Sequence, residues 1–173
     1  MGGMSSGGFP FVMELQQKPN WCWAATAVSI KKYYEPNSGW LQCLLVDDLL
    51  QRGCCENPSI CDEDAFLGAG LDAVECLERI VGTPVALQPT VATEIKALRP
   101  VVAAVLWEGG GGHAVVISAF TDEIISGFPG IAFHEQWVQV QDSEYGPSFI
   151  EYDTLRTSYH GSGTWASTYF TKR

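Results

Sequence analysis

The chain has 173 residues, 46% hydrophobic and 17% charged, which is enough apolar material for one packed domain and excludes a disordered chain. Lys and Arg number 10 against 20 Asp and Glu, a formal charge of −10, which excludes non-specific nucleic-acid binding and docking on an anionic membrane. No apolar run reaches the ~20 residues of a membrane-spanning helix, and no signal peptide with a charged and then an apolar region is visible.

The opening MGGMSSGG is rich in Gly and Ser, so residues 1–15 are expected to form a flexible tail ahead of a single domain over 16–173. Asn20 can cap a helix over 21–34, which stops at EPNSG, where Pro36 and Gly39 break it. A second helix is expected over 41–50, ending near Gly53. The Cys-rich loop GCCENPSICD follows, with an Asn-Pro turn signal. The stretch 64–82, DAFLGAGLDAVECLERIVG, reads as one or two further helices closing at Gly82. Thr90 caps a short helix through Leu98, stopped by Pro100.

After Pro100 the pattern changes. Runs rich in Val, Ile, Phe, Tyr and Thr occupy 101–107, 113–120, 131–142, 148–152 and 164–170, separated by turn residues. Such a series forms an antiparallel sheet. Helices first and strands second is the α+β pattern, with an N-terminal helical half packed on a C-terminal antiparallel β-sheet.

The stretch QQKPNWCWAA sets Cys22 between Trp21 and Trp23. A lone cysteine among aromatics is by default a core thiol, and the tryptophans are packing anchors. With Asn20 as the cap, however, Cys22 falls in the first helical turn. There, unpaired backbone N–H groups and the positive end of the helix dipole stabilise a thiolate. Gln16, six residues earlier, can join the Cys22 N–H as a donor to an oxyanion, and the adjacent Gln17 is an alternative. Three histidines can serve as the general base. His134 lies inside a strand run and His160 in the loop SYHGSG, whereas His113 follows WEGGGG and opens a strand, a setting that favours it. If 113–120 and 131–142 pair as a hairpin, the end of the second run returns beside the start of the first. Asp142 would then orient His113, ahead of Glu144 in the turn and Asp153, expected at the opposite end of the sheet. Trp165 reads as a core residue. The glycines at 109–112 are not a phosphate loop, because no Lys-Ser/Thr follows and a strand comes next; they read as a loose hairpin or a groove wall.

Five of the six cysteines (Cys43, Cys54, Cys55, Cys61 and Cys76) fall within 34 positions. No Cys-x-x-Cys pair exists, and adjacent Cys54 and Cys55 seldom serve one tetrahedral ion, which favours disulfides over zinc and implies an oxidising compartment at some stage. A vicinal Cys54–Cys55 bridge is strained. Cys55–Cys61 is favoured for its short loop, leaving Cys43–Cys54, with Cys76 unpaired on a helix.

The motifs QQKPNWCWAA, GGGGHAVVI and VQVQDSEYG together resemble the papain-like cysteine peptidases: Gln, Cys, His and Asp stand in that order, with the glutamine six residues before the cysteine and a tryptophan directly after it. The details are similar to bacterial leader-peptide-processing peptidases, which cut after double glycine, and to small secreted effector or toxin peptidases. The resemblance spans Gln16 to Phe170, and it makes Trp165 a candidate shield of the His–Asp pair as an alternative to its core role. It implies a papain-like fold and an endopeptidase with Cys22 as nucleophile, His113 as base, Asp142 as its orienter and Gln16 as oxyanion donor, acting through an acyl-enzyme without metal or organic cofactor. It implies a monomer acting on a protein or peptide substrate, exported from a bacterium, with an immunity or inhibitor protein as a candidate partner. The alternative is a glutamine deamidase or transglutaminase-like acyl transferase with the same triad; a disulfide-stapled binding module is the non-enzymatic rival. The sequence departs from the family in the 29 positions separating His113 from Asp142, a stretch that TDEIISGFPGIAFHEQ lengthens.

Overall fold

The helix that begins at Cys22 has no charged residue before Lys31, and it is buried from Cys22 through Lys31. A helix that is apolar on all sides must lie inside a fold, and this one is sandwiched between a sheet and other helices. The computed structural model describes residues 3–128 and 131–173. In chain order the elements are β1 (Met4–Gly8), α1 (Cys22–Tyr34), α2 (Gln42–Leu50), α3 (Leu67–Ala73), β2 (Leu77–Val81), α4 (Ala92–Lys96), β3 (Val101–Trp107), β4 (Gly112–Phe128), β5 (Ile131–Asp142), β6 (Ser148–Glu151), α5 (Tyr152–Thr157) and β7 (Gly163–Thr171). The sheet runs β2-β7-β3-β4-β5-β6 with every pairing antiparallel, and β1 adds to β4. Helices gathered against one antiparallel sheet make this an α+β fold, as expected.

Strand alternation divides the apolar residues between two cores. Val102, Ala114 and Val116 face α1 and meet Ala24, Ala27 and Val28. Their neighbours Ala103, Val105, Val115 and Ile117 point the other way, onto Leu87, Ile95, Leu155 and Trp165. Gly70 lets α3 approach α1, since a Cβ there would lie 3.0 Å from the Trp23 ring.

Four expectations are corrected. The chain start is not a free tail: Met4–Gly8 pairs with Glu123–Ala119 of β4, along the edge that β3 leaves after Ile117. Small residues suit this strand because the strands crowd together; a Cβ on Gly8 would fall 2.6 Å from that of Ala119. Phe11 is then buried and Phe9 packs on Tyr33. Secondly, the helix expected through 82 stops at Ala73. Glu75 turns the chain with φ 62°, and residues 77–81 pair with β7, so sheet pairing overrides the helical propensity of LER. Cys76 therefore precedes a strand instead of lying on a helix, though it is unpaired as expected. Thirdly, Tyr152 opens α5 instead of ending a strand.

The fourth correction concerns the bridges, which are Cys43–Cys55 and Cys54–Cys61. Adjacent side chains point apart. Cys54 turns into the core with Cys61, both fully buried, which leaves Cys55 exposed and facing Cys43 on α2. Peptide mapping without reduction should recover these two pairs. Cys54→Ser with Cys61→Ser should lower stability by roughly 2 kcal/mol in denaturant unfolding, the amount expected for so short a closed loop.

Candidate active site

Four separate stretches bring the candidate residues together. Cys22 is the first residue of α1, buried at 7% exposure. The expected cap is not used: Trp21 occupies the N-cap position and no side chain bonds the first turn. Asn20 instead ties the approach to the disulfide loop, donating from its side-chain Nδ2 to the Asp62 carbonyl while its backbone N–H reaches the Asp62 carboxylate. Trp21 and Trp23 donate their indole N–H groups to the Cys61 and Glu63 carbonyls. Both indoles are packing anchors, and together they lock the chain on either side of the cysteine. The first-turn N–H groups have no side-chain cap.

His113 is set by the glycine turn. Trp107 N–H bonds Gly111 O at 3.1 Å and Gly110 N–H bonds Trp107 O at 2.9 Å, with Gly110 and Gly111 at φ +93° and +85°. Only glycine takes such values without strain. The reversal starts β4 so that His113 lies opposite Val105. Asp142 lies opposite Val115, two residues further on, so the two side chains share a face as diagonal neighbours. His113 Nε2 is 2.9 Å from both carboxylate oxygens of Asp142. This leaves Nδ1 free of Asp142, and the nearby Cys22 also raises the ring's proton affinity.

Asp142 is fully buried and well supplied with donors. Oδ1 accepts the backbone N–H groups of Glu144 at 2.7 Å and Tyr145 at 3.0 Å, and Oδ2 accepts the Tyr159 hydroxyl at 2.6 Å. Burial alone would raise its pKa, but His113 and these donors outweigh it and hold the carboxyl below its usual range. Burial likewise favours a neutral His113. The Asp142 and Cys22 interactions overcome it and raise the ring from 6.5 to about 9. The two shifts fix the sign of the pH response. The His113 contribution to stability is complete below 6.5 and is lost as pH rises through about 9. That of Asp142 is present above the ordinary carboxyl range and lost in acid.

Gln16 is half-buried. Its backbone N–H bonds Ser143 O, its side-chain oxygen accepts the Ser143 hydroxyl at 2.8 Å, and Nε2 donates to Pro19 O at 2.7 Å. An amide nitrogen has two protons, so one remains for a substrate. Gln17 is exposed and engaged through its backbone, whose N–H donates to the buried Gln42 side chain. His134 pairs with Asp122 on the far part of the hairpin, and His160 packs on Tyr145 and Tyr159. Glu144 and Asp153 make no bond to His113; Asp153 pairs with Arg156.

Trp107, not Trp165, lies over the histidine, its ring stacked at 5.9 Å from His113 and 6.2 Å from Tyr159. Trp165 belongs to the core and donates to Ser167 O. Trp107, Ser143 and Tyr159 were not legible as site residues; the one hint was that Trp107 precedes the glycines and Ser143 follows Asp142. A cleft of about 250 Å³ opens beside Cys22 and His113, walled by Trp23, Phe66, Leu106 and Tyr169. Phe66 and Leu106 are 61% and 56% exposed, so the site presents apolar surface to whatever binds.

A family model described as papain-like cysteine protease AvrRpt2 matches residues 5–154. The match covers most of the chain, and the chain belongs to that family: it is a papain-like cysteine peptidase. Comparison with individual curated proteins finds no match.

The His113 imidazole should titrate near pH 9 when followed by NMR. In Asp142→Ala its midpoint should fall, because burial persists while the largest opposing interaction is gone.

Proposed function

We propose that this member of the papain-like cysteine protease AvrRpt2 family is an endopeptidase using Cys22, His113 and Asp142 as its triad and Gln16 as oxyanion donor. The observation that carries the reading is His113 bonded through Nε2 to both oxygens of the buried Asp142, in the wall of the cleft that Cys22 also lines. Asp142 and Cys22 raise the ring to about 9, which suits it to hold the proton that the reaction must hand to the leaving amine.

The Cys22 sulfur attacks a peptide carbonyl and forms a C–S bond. The oxygen that takes up the charge is met by the Cys22 backbone N–H and the second amide proton of Gln16. His113 passes its proton to the leaving amine as the C–N bond breaks, then takes a proton from the water that releases the acyl group. Asp142 holds the ring in orientation through both steps. Trp107 keeps water off the His–Asp hydrogen bond.

The two disulfides support a protein that spends part of its life in an oxidising compartment. Together with the motif resemblance, they support a bacterial protein exported as an effector, toxin or processing enzyme. Its partners would be a protein or peptide substrate and an immunity or inhibitor protein.

Incubating the enzyme and its Cys22→Ala form with a proteome tests the reading: new protein N-termini should appear only with the intact enzyme. Release of ammonia without chain cleavage would instead assign a glutamine deamidase. Gln16→Ala should lower kcat by roughly 10²–10³-fold with little change in KM, the pattern of a lost oxyanion donor. Gln17→Ala should do far less; the reverse order would move the donor to Gln17. The alkaline limb of kcat/KM should fall with a midpoint of about 9 as His113 loses its proton.

A further inference from the structure

We propose that Tyr159 is a positioning residue of the reaction, its hydroxyl fixing the Asp142 carboxylate so that it stays aimed at His113. The proposal rests on the triad reading above. It begins with how the donors around Asp142 are divided. Both backbone donors, the N–H groups of Glu144 and Tyr145, reach Oδ1. Oδ2 has only a share of the His113 N–H and the Tyr159 hydroxyl at 2.6 Å. With that hydroxyl removed, a fully buried oxygen keeps half of one hydrogen bond, and the carboxylate is fixed firmly at Oδ1 alone. His113 would lose the fixed edge that sets its ring plane.

The surroundings of Tyr159 hold it for this contact. It is 2% exposed and sits in the turn SYHGSG, where it exchanges both backbone bonds with Gly163 at 2.8 Å. His160 takes φ +47° and Gly161 φ +86° to close the turn. A Cβ on Gly163 would fall 2.6 Å from Val105 Cγ1 and 2.8 Å from Trp107, so the turn can sit this close only with glycine there. Trp107 stacks on both the His113 and Tyr159 rings and holds them in one layer. Burial and the Asp142 charge keep the phenol protonated, and so a donor, at any working pH. If Tyr159 served only as a core aromatic, phenylalanine would fill the place equally well.

Tyr159→Phe therefore separates the two roles. Rates are read on a fluorogenic peptide built from a cleavage site found by N-terminal mapping, and folding is checked by thermal melting. The expected result is a kcat roughly tenfold lower with KM within about twofold, the size of one charge-assisted hydrogen bond felt in orientation and not in binding. The Asp142 carboxyl, followed by ¹³C NMR, should titrate at higher pH than in the wild type. In an Asp142→Ala background the same substitution should change nothing further, because the hydroxyl acts through that carboxylate. A wild-type kcat in Tyr159→Phe, or an undiminished loss on top of Asp142→Ala, would overturn the proposal. If Asp142→Ala itself retained full kcat, the triad reading would fail instead. Should Tyr159→Phe not fold, 3-fluorotyrosine at position 159 keeps the ring and strengthens the donor. The Asp142 titration should then move to lower pH, and an unmoved midpoint would count against the proposal.

Discussion

A carboxylate with no solvent exposure governs the architecture around it. An ion of this kind costs several kcal/mol to bury unless charge and hydrogen bonds compensate. Asp142 is compensated from three directions: the His113 ring on the neighbouring strand, two backbone N–H groups of the turn after β5, and a hydroxyl from the turn before β7. Each donor constrains a different part of the chain. The β4–β5 register must bring Val115 opposite Asp142, the turn at 143–146 must fold back on the carboxylate, and the loop at 158–163 must approach closely enough for Tyr159 to reach it. The histidine is consequently held by the sheet register as well as by the glycine turn before it.

The cysteine side of the cleft is built on other principles. Cys22 lies where a buried helix begins, and its flanking residues are fastened to the loop that two disulfides close. Gln16 is carried by a segment whose start is a strand of the sheet and whose middle is tied to Ser29 and Gln42. Ser143 joins the two halves. It follows Asp142 directly in sequence and donates to the Gln16 amide oxygen, so the turn that supports Asp142 also fixes Gln16.

Much of this was legible from residue patterns. The strands at 101–107 and 131–142 emerge at those bounds because Val-rich alternation and turn residues both mark them. His113 and Asp142 could be read as neighbours because few histidines compete and because hairpin geometry returns residue 142 to residue 113; Cys22 and Gln16 stood out as candidates by their place at a helix start. What stayed hidden depended on partners far along the chain. Met4–Gly8 looks disordered by composition and is a strand only because β4 has an open edge where small residues fit. Residues 77–81 favour a helix locally and become a strand through β7. The bridge pattern turned on which way Cys54 points, which the core decides. Trp107 and Tyr159 carry no motif; they matter because a stack forms across β3 and the turn before β7.

The strand order has a consequence in time. β7, residues 163–171, does not lie at an edge; it sits between β2 and β3, and β1 reaches β4 across more than a hundred residues of chain. Contacts of such long sequence range form late in folding, after the loops between them have been closed. On a ribosome, the helices can form early, but the sheet stays divided until residue 171 has emerged. The turn that carries Tyr159 and the layer that covers His113 are therefore among the last features assembled. A nascent chain would carry Cys22 in a formed helix long before His113 gained the layer that covers it.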